Sequence, residues 1–201
     1  TAGEIRRITE AQRAAVAGCG AAVALLAAAR VDGRGYLRNA GRRLTSEEVR
    51  RAIHRELAAC DCAPSETIVA GGAQGADPHE RGRGFLKAGQ PIVIDIFPRR
   101  VIDGYWGDLT RTVVKGAPGR EAERMYRAVR AAQQAALKKV RAGARVAAVH
   151  QAAMAVFERR GFRTEMKRGR PTGFIHGTGH GVGLEIHEAP RLRPKADDAL
   201  P

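Results

Sequence analysis

The chain has 201 residues, of which 44% are hydrophobic and 28% are charged, with a formal net charge of +14. This composition is typical of a soluble globular protein and excludes an intrinsically disordered chain. The positive charge makes nucleic acid or an acidic surface a candidate partner. The arginines are spread along the chain, however, and only residues 166–170 form a compact basic run. We therefore do not expect a nucleic acid partner.

The uncharged run at residues 14–29 is the first predicted element. It is shorter than the ~20 residues that span a bilayer. Glu4 and Glu10 also place negative charges before this run, where a secretory signal has a basic flank. The pattern therefore predicts a buried, alanine-rich helix from about Glu4 to Arg30 and no membrane span.

The elements that follow alternate between helical and strand-like patterns. Thr45 and Glu48 have the spacing of a capping box at the start of the second helix. Pro118 suits the first turn of the third helix, and Gly143 suits its end. The predicted helices cover residues 4–30, 45–60, 118–141 and 146–160, and the predicted strands cover residues 66–72, 90–97 and 105–114. The order helix, helix, strands occurs twice, which indicates an internally duplicated α+β fold.

The three cysteines are Cys19, Cys60 and Cys62. An odd number, with two of them one residue apart, does not form a disulfide framework, and a lone C-x-C pair is weak evidence for a metal site. We expect reduced thiols in an intracellular, cytoplasmic protein.

Asp95 lies in the middle of the strand-like run IVIDIF, residues 92–97, which is apolar on both faces. Such a strand is expected to be buried on both sides. A buried carboxylate must be protonated, hydrogen-bonded, ion-paired or bound to a metal, because an isolated buried charge is very costly.

A hairpin centred between Val101 and Ile102 would place Asp108 directly opposite Asp95, on the same face. Two carboxylates at that distance repel each other unless a cation lies between them. The alternative is an ion pair with Arg111 or Arg99, but alternation puts Arg111 on the other face. The pattern favours a metal.

The stretch HGTGHGVGLEIHE, residues 176–188, contains His176, His180 and His187. Its glycines exclude a helical zinc-protease pair, and Val182 replaces a glycine that a dinucleotide-binding loop needs. Residues 184–188 are strand-like. His79 precedes the carboxylate hairpin, whereas the helical positions of the other two histidines, His54 and His150, indicate structural or surface roles.

Four motifs together resemble the pita-bread-fold metallopeptidases, a family that includes methionine aminopeptidase, Xaa-Pro aminopeptidase and prolidase. The motifs are PH at 78–79, IVIDIFP at 92–98, GYWGDLTRTVVKG at 104–116 and HGTGHGVGLEIHEAP at 176–190. The residues of these motifs are most similar to those of the Xaa-Pro peptidase branch. The resemblance implies an α+β pita-bread fold of two pseudo-twofold halves, the second of them incomplete here.

The same resemblance implies a role for each matching residue. Asp95, Asp108 and His180 would be metal ligands, with Asp108 bridging two divalent ions. His79 and His187 would be catalytic and bind substrate, and His176 would line the substrate pocket. Manganese or cobalt is expected, and zinc or iron would also suit these ligands.

The family completes its site with two glutamates from strands that follow the histidine stretch, and residues 1–201 do not extend that far. Glu185 and Glu188 lie inside the histidine motif and are not assigned as the missing ligands. We therefore expect residues 1–201 to be a single catalytic domain of a larger metallopeptidase. It would lack its C-terminal strands and the N-terminal domain of longer family members.

The expected activity is a metal-dependent exopeptidase that releases an N-terminal residue, one that precedes proline, by attack of a metal-bridging hydroxide. The expected partner is a peptide substrate, and the sequence leaves open whether the chain forms a homodimer. One alternative is a non-catalytic pita-bread module that binds peptide, histone or nucleic acid, or an inactive fragment. The other is creatinase-like hydrolysis without a metal.

Overall fold

A computed structural model describes residues 1–195 and 198–201. In that part of the chain the helices are α1 (Ala2–Ala28), α2 (Ser46–Ala59), α3 (Arg120–Leu137) and α4 (Val146–Arg159). The strands are β1 (Arg30–Val31), β2 (Leu37–Asn39), β3 (Arg42–Arg43), β4 (Cys62–Ala63), β5 (Ile68–Gly71), β6 (Pro91–Ile96), β7 (Arg99–Arg100), β8 (Leu109–Val114), β9 (Glu165–Lys167), β10 (Arg170–Thr172), β11 (Gly179–Gly181) and β12 (Glu188–Leu192). The four predicted helices are confirmed, with no end shifted by more than four residues.

The chain forms two compact units. The first contains Thr1–Gly119 together with Val182–Ile186, and the second contains Arg120–Gly181 together with His187–Pro201. Each unit has a pair of packed helices and antiparallel strands, as the repeated order of elements predicts.

Helix α1 has an alanine-rich buried face. Thr1 and Glu4 form a capping box at its start. Its buried residues are Ala11, Ala14, Ala15, Gly18, Cys19, Ala22 and Leu26. Small side chains on this face allow α2 to pack closely, and Gly18 would place an added Cβ 3.1 Å from Ile53 of α2. By length and composition alone α1 could also cross a membrane, a test that core helices of soluble proteins pass too.

Helix α2 begins at the predicted capping box. The Glu48 amide donates to Thr45 Oγ1 at 3.2 Å, and the Thr45 amide donates to Glu48 Oε2 at 3.0 Å. Val49, Ile53 and Leu57 recur at helical spacing and are fully buried in the core of the first unit. Cys19 and Cys62 belong to the same core, and all three cysteines are free thiols, as expected.

The central sheet of the first unit has the order β5-β6-β8 and is antiparallel throughout. Ile92, Ile94 and Ile96 of β6 are 0% exposed and face the helices. The opposite face, with Val93 and Asp95, is half-buried. The prediction that this strand is buried on both sides is therefore wrong in this structure, because one face packs in the core and the other is partly open.

The predicted hairpin register is also wrong. Asp95 pairs with Thr110, not with Asp108. The hairpin turns one position later than predicted, since Gly104 takes a positive φ of 79° and its amide donates to the Arg100 carbonyl at 3.0 Å. Asp108 lies two residues before Thr110, immediately before β8 begins at Leu109.

In the second unit, α3 and α4 pack through small residues. The core consists of Ala128, Ala132, Ala136, Val149, Ala153, Val156 and Phe157. Strand β11 pairs with β12 and contains the glycines expected to exclude a helix. An added Cβ on Gly181 would lie 2.3 Å from the Ala189 carbonyl oxygen, so only glycine allows this close approach. The predicted strand at 184–188 is wrong except at its last residue, where β12 begins.

Candidate functional site

Asp95 lies on the half-buried face of β6, held by its neighbour on β8. The Thr110 hydroxyl donates to Asp95 Oδ1 at 2.5 Å. A hydrogen bond to an ionised carboxylate is short and favours the charged form. Thr110 therefore orients the Asp95 carboxylate.

Asp108 lies where the hairpin meets α1. Its amide donates to Gln12 Oε1 at 3.0 Å. Gly107, immediately before it, packs against the helix backbone: an added Cβ would lie 2.6 Å from the carbonyl carbon and oxygen of Ala11 and 2.8 Å from the Gln12 nitrogen. The position of Asp108 is thus set by direct packing of the hairpin backbone on α1.

The two arginines proposed as alternative partners of the aspartates make other contacts. Arg111 pairs with Ile94, on the core side of the sheet, as alternation predicts. Its guanidinium donates to the Thr110 carbonyl at 2.8 Å, and Arg99 donates to the Gly104 carbonyl at 3.3 Å. These contacts give no support to the ion-pair alternative.

His79 is exposed, on a segment attached to the edge of the same sheet. Its amide donates to Asp77 Oδ1 at 2.9 Å. Two residues further on, the Arg81 carbonyl accepts from the Val69 amide of β5 at 2.9 Å and from Arg50 of α2 at 2.6 Å. Arg50 also donates to the Gly82 carbonyl at 2.7 Å. The segment that carries His79 is therefore anchored by hydrogen bonds to β5, the edge strand of the sheet, and to α2.

His180 and His187 lie together in the second unit. Their rings meet edge to face, with centroids 4.4 Å apart at 78°. His180 Nδ1 lies 3.0 Å from the Gly181 carbonyl oxygen, which can only accept a hydrogen bond. The proton of a neutral His180 therefore resides on Nδ1 and the lone pair on Nε2, a tautomer that can bind a metal through Nε2.

The segment before His180 is held by a histidine that the sequence assigned to a structural or surface role. His150 is 3% exposed, and its Nδ1 lies 2.9 Å from Thr178 Oγ1. Its ring also stacks on Phe174 at 5.6 Å. Burial lowers the pKa of His150, with a hydrogen bond to the Leu192 backbone acting in the opposite direction. The structural role is confirmed, whereas His176, on the same segment, is exposed.

Comparison with known proteins identifies the chain. The profile of metallopeptidase family M24 matches residues 6–201. The chain belongs to metallopeptidase family M24. It is 33% identical to the Xaa-Pro dipeptidase of Pyrococcus furiosus over 128 residues, which cover 63% of this chain and 34% of that protein.

Further relatives agree with this assignment. The chain is 35% identical to the probable dipeptidase PepE of Mycobacterium bovis over 129 residues, which cover 62% of this chain and 31% of the relative. Its fold matches the solved prolidase from Pyrococcus furiosus with a TM-score of 0.82 at 27% identity, covering 100% of this chain and 53% of that one. The predicted α+β pita-bread fold is thereby confirmed. The chain spans about a third of the length of these curated relatives.

Membership in family M24 implies divalent metal cofactors, and the donor atoms of this M24 chain suit them. Asp95 and Asp108 supply hard oxygen donors, and His180 supplies an imidazole nitrogen with the required tautomer. Within residues 1–195 and 198–201, no group of three or more His, Cys, Asp or Glu side chains lies close enough to hold an ion. The donor chemistry therefore fits, while the ligand assignment remains a prediction.

Three residues that contact a candidate site residue or a segment near one were not predicted from the sequence: Thr110, Gln12 and Trp106. Thr110 has a local signal, since it lies two residues after Asp108 on the same face of a strand. Gln12 contacts Asp108 across 96 positions, and Trp106 contacts Leu184 across 78. No spacing rule finds contacts between such distant residues.

Proposed function

We propose that this chain is part of a metal-dependent exopeptidase that releases an N-terminal residue from peptides, with preference for a residue that precedes proline. The observation that carries the proposal is the placement of Asp95 and Asp108 on one hairpin of an M24 chain, with Thr110 orienting Asp95. The name Xaa-Pro dipeptidase, carried by a relative 33% identical to this chain, supports the proline preference.

In this proposal Asp95, Asp108 and His180 would hold two divalent ions. Manganese or cobalt is the expected metal, and zinc or iron would also suit these donors. When bound, such ions would act as Lewis acids and would supply a nucleophile by lowering the pKa of bound water. Two aspartates and one neutral histidine carry a charge of about −2, so further anionic ligands are needed to balance two divalent ions.

Three further histidines, His79, His176 and His187, act on the substrate. In the proposal His187 donates a hydrogen bond to the carbonyl oxygen of the scissile bond as negative charge develops there; its ring contact with His180 supports a shared site for the two histidines. His79 binds substrate and shares this task, and His176 lines the pocket for the residue next to the cleaved bond. A cytoplasmic location, a peptide as the only partner class and homodimer assembly also belong to the proposal.

The test measures hydrolysis of Ala-Pro and Ala-Ala by the intact protein, with manganese and with excess chelator. We expect Ala-Pro to be the better substrate and the chelator to abolish turnover. Asp108→Asn removes the ligand charge at nearly constant shape. Because loss of outer-shell partners alone costs 10- to 100-fold, we expect at least about a 100-fold loss of turnover together with loss of bound metal.

Asp61→Asn is the matched control. Asp61 is exposed and has a φ of 51°, a conformation that asparagine also adopts readily. We expect it to keep wild-type turnover and metal content. His187→Ala should lower turnover about 100-fold while metal remains bound. Wild-type turnover in Asp108→Asn would refute the metal assignment, and less than about one ion per wild-type chain would favour the non-catalytic binding module.

A further inference from the structure

Trp106 holds a distant segment of the chain through two hydrogen bonds. Its backbone amide donates to the Gly183 carbonyl at 2.8 Å, and its indole Nε1 donates to the Leu184 carbonyl at 3.0 Å. The segment that it holds, Val182–Ile186, belongs to the first unit, although the residues on either side of it belong to the second.

Trp106 is itself rigidly placed. It forms an antiparallel bridge with Arg99, and on either side the Arg100 amide donates to the Tyr105 carbonyl at 2.9 Å and the Gly107 amide to the Pro98 carbonyl at 3.0 Å. The two donors of Trp106 therefore project from a continuous hairpin. Because they reach consecutive carbonyls, they restrain both the position and the orientation of the segment.

Backbone carbonyls of the segment accept both hydrogen bonds from Trp106. The Leu184 side chain is 54% exposed, so it contributes little apolar anchoring. The Gly183 amide donates to the Glu185 carbonyl at 3.1 Å, a bond within the segment itself. The indole N–H supplies one of the two hydrogen bonds by which Trp106 fixes residues 183–184 to the hairpin.

The residues that form these hydrogen bonds are close in the sequence to predicted metal ligands. Asp108 follows Trp106 by two residues, and residues 183–184 lie between His180 and His187. We propose that Trp106 is a positioning residue that fixes the segment between His180 and His187 to the hairpin that carries Asp108. It thereby restrains the chain that follows His180 in the metal-free protein. The effect on metal binding rests on the proposed function.

The test compares Trp106→Phe with Leu184→Ala in the intact protein. Trp106→Phe removes the indole donor and keeps an aromatic ring and the backbone amide. Leu184→Ala trims an exposed side chain and keeps the accepting carbonyl, so it is the matched control. Two quantities are measured: the amide hydrogen exchange of peptides that cover residues 176–190 without metal, and the dissociation constant for manganese by calorimetry.

We expect Trp106→Phe to speed exchange in the 182–186 segment and to raise the manganese dissociation constant about 3- to 10-fold, because one net hydrogen bond is lost. Leu184→Ala should leave both quantities at wild-type values. The hydrogen-exchange measurement needs no metal, so it judges the tether even if the proposed function fails.

Three results would count against these ideas, and they are distinguishable. Unchanged exchange in Trp106→Phe would overturn the tether itself. Faster exchange with an unchanged manganese dissociation constant would overturn its role in positioning ligands. A wild-type protein that binds no manganese, together with faster exchange in the variant, would refute the proposed function and keep the tether.

Discussion

The close packing of Gly107 against α1 provides a direct test of how Asp108 is positioned. In Gly107→Ala the new Cβ would lie 2.6 Å from the carbonyl carbon and oxygen of Ala11 and 2.8 Å from the nitrogen of Gln12. Carbon atoms prefer separations of about 3.5–4.0 Å, so the hairpin or the helix must move by about 1 Å. All of these atoms belong to helix backbone, which cannot rotate out of the way.

The expected magnitude follows from two opposing terms. Overpacking costs about 1–3 kcal/mol, whereas replacing glycine by alanine at an ordinary φ returns about 0.4–1 kcal/mol by restricting the unfolded chain. We therefore expect the free energy of unfolding to fall by about 1–2 kcal/mol. The displacement of Asp108 should also weaken manganese binding.

The assay is urea unfolding followed by circular dichroism, together with a manganese titration. Gly33→Ala is the matched control, because an added Cβ there meets nothing within 4 Å and its φ is ordinary. We expect this control to keep or slightly raise the free energy of unfolding. Equal free energies of unfolding for Gly107→Ala and Gly33→Ala would refute the packing argument.

Two more predictions concern Thr110 and His150. Thr110→Val should raise the manganese dissociation constant about 10- to 100-fold, because Asp95 loses its orienting hydroxyl. Thr112→Val changes an exposed residue two positions along the strand and should leave the dissociation constant unchanged. Equal effects of the two variants in calorimetry would contradict this role of Thr110. Burial lowers the pKa of His150 below 6.5, so the unfolded chain binds the proton first and the free energy of unfolding should fall as the pH drops below about 6.5. His150→Gln should reduce that slope in urea titrations at pH 7.5 and 5.5, and an unchanged slope would show that His150 does not cause it.

The helices could be predicted because their signals are local. Thr45 and Glu48 define the start of α2 at the observed position, and alanine-rich periodicity marks the buried face of α1. The residues of the candidate site could also be named, since the motifs that carry them are contiguous in the chain. Their assignment as ligands stays a prediction.

The hairpin register could not be predicted, because the turn depends on several contacts at once. The Asp103 carboxylate accepts from Arg100 Nε at 2.9 Å, and Gly104 adopts a positive φ. Strand β7 also pairs with β4, which comes much earlier in the chain. A shift of two residues preserves side-chain alternation, so the hydrophobic pattern alone does not distinguish Thr110 from Asp108 as the partner of Asp95.

The segment that carries His79 also affects the solubility of the protein. Strand β5 lies at the edge of its sheet, and an uncovered edge can recruit a strand from another molecule and start aggregation. The bond between the Val69 amide and the Arg81 carbonyl, reinforced by Arg50, occupies part of that edge. A deletion that shortens this loop would therefore expose a template for intermolecular β-sheet growth.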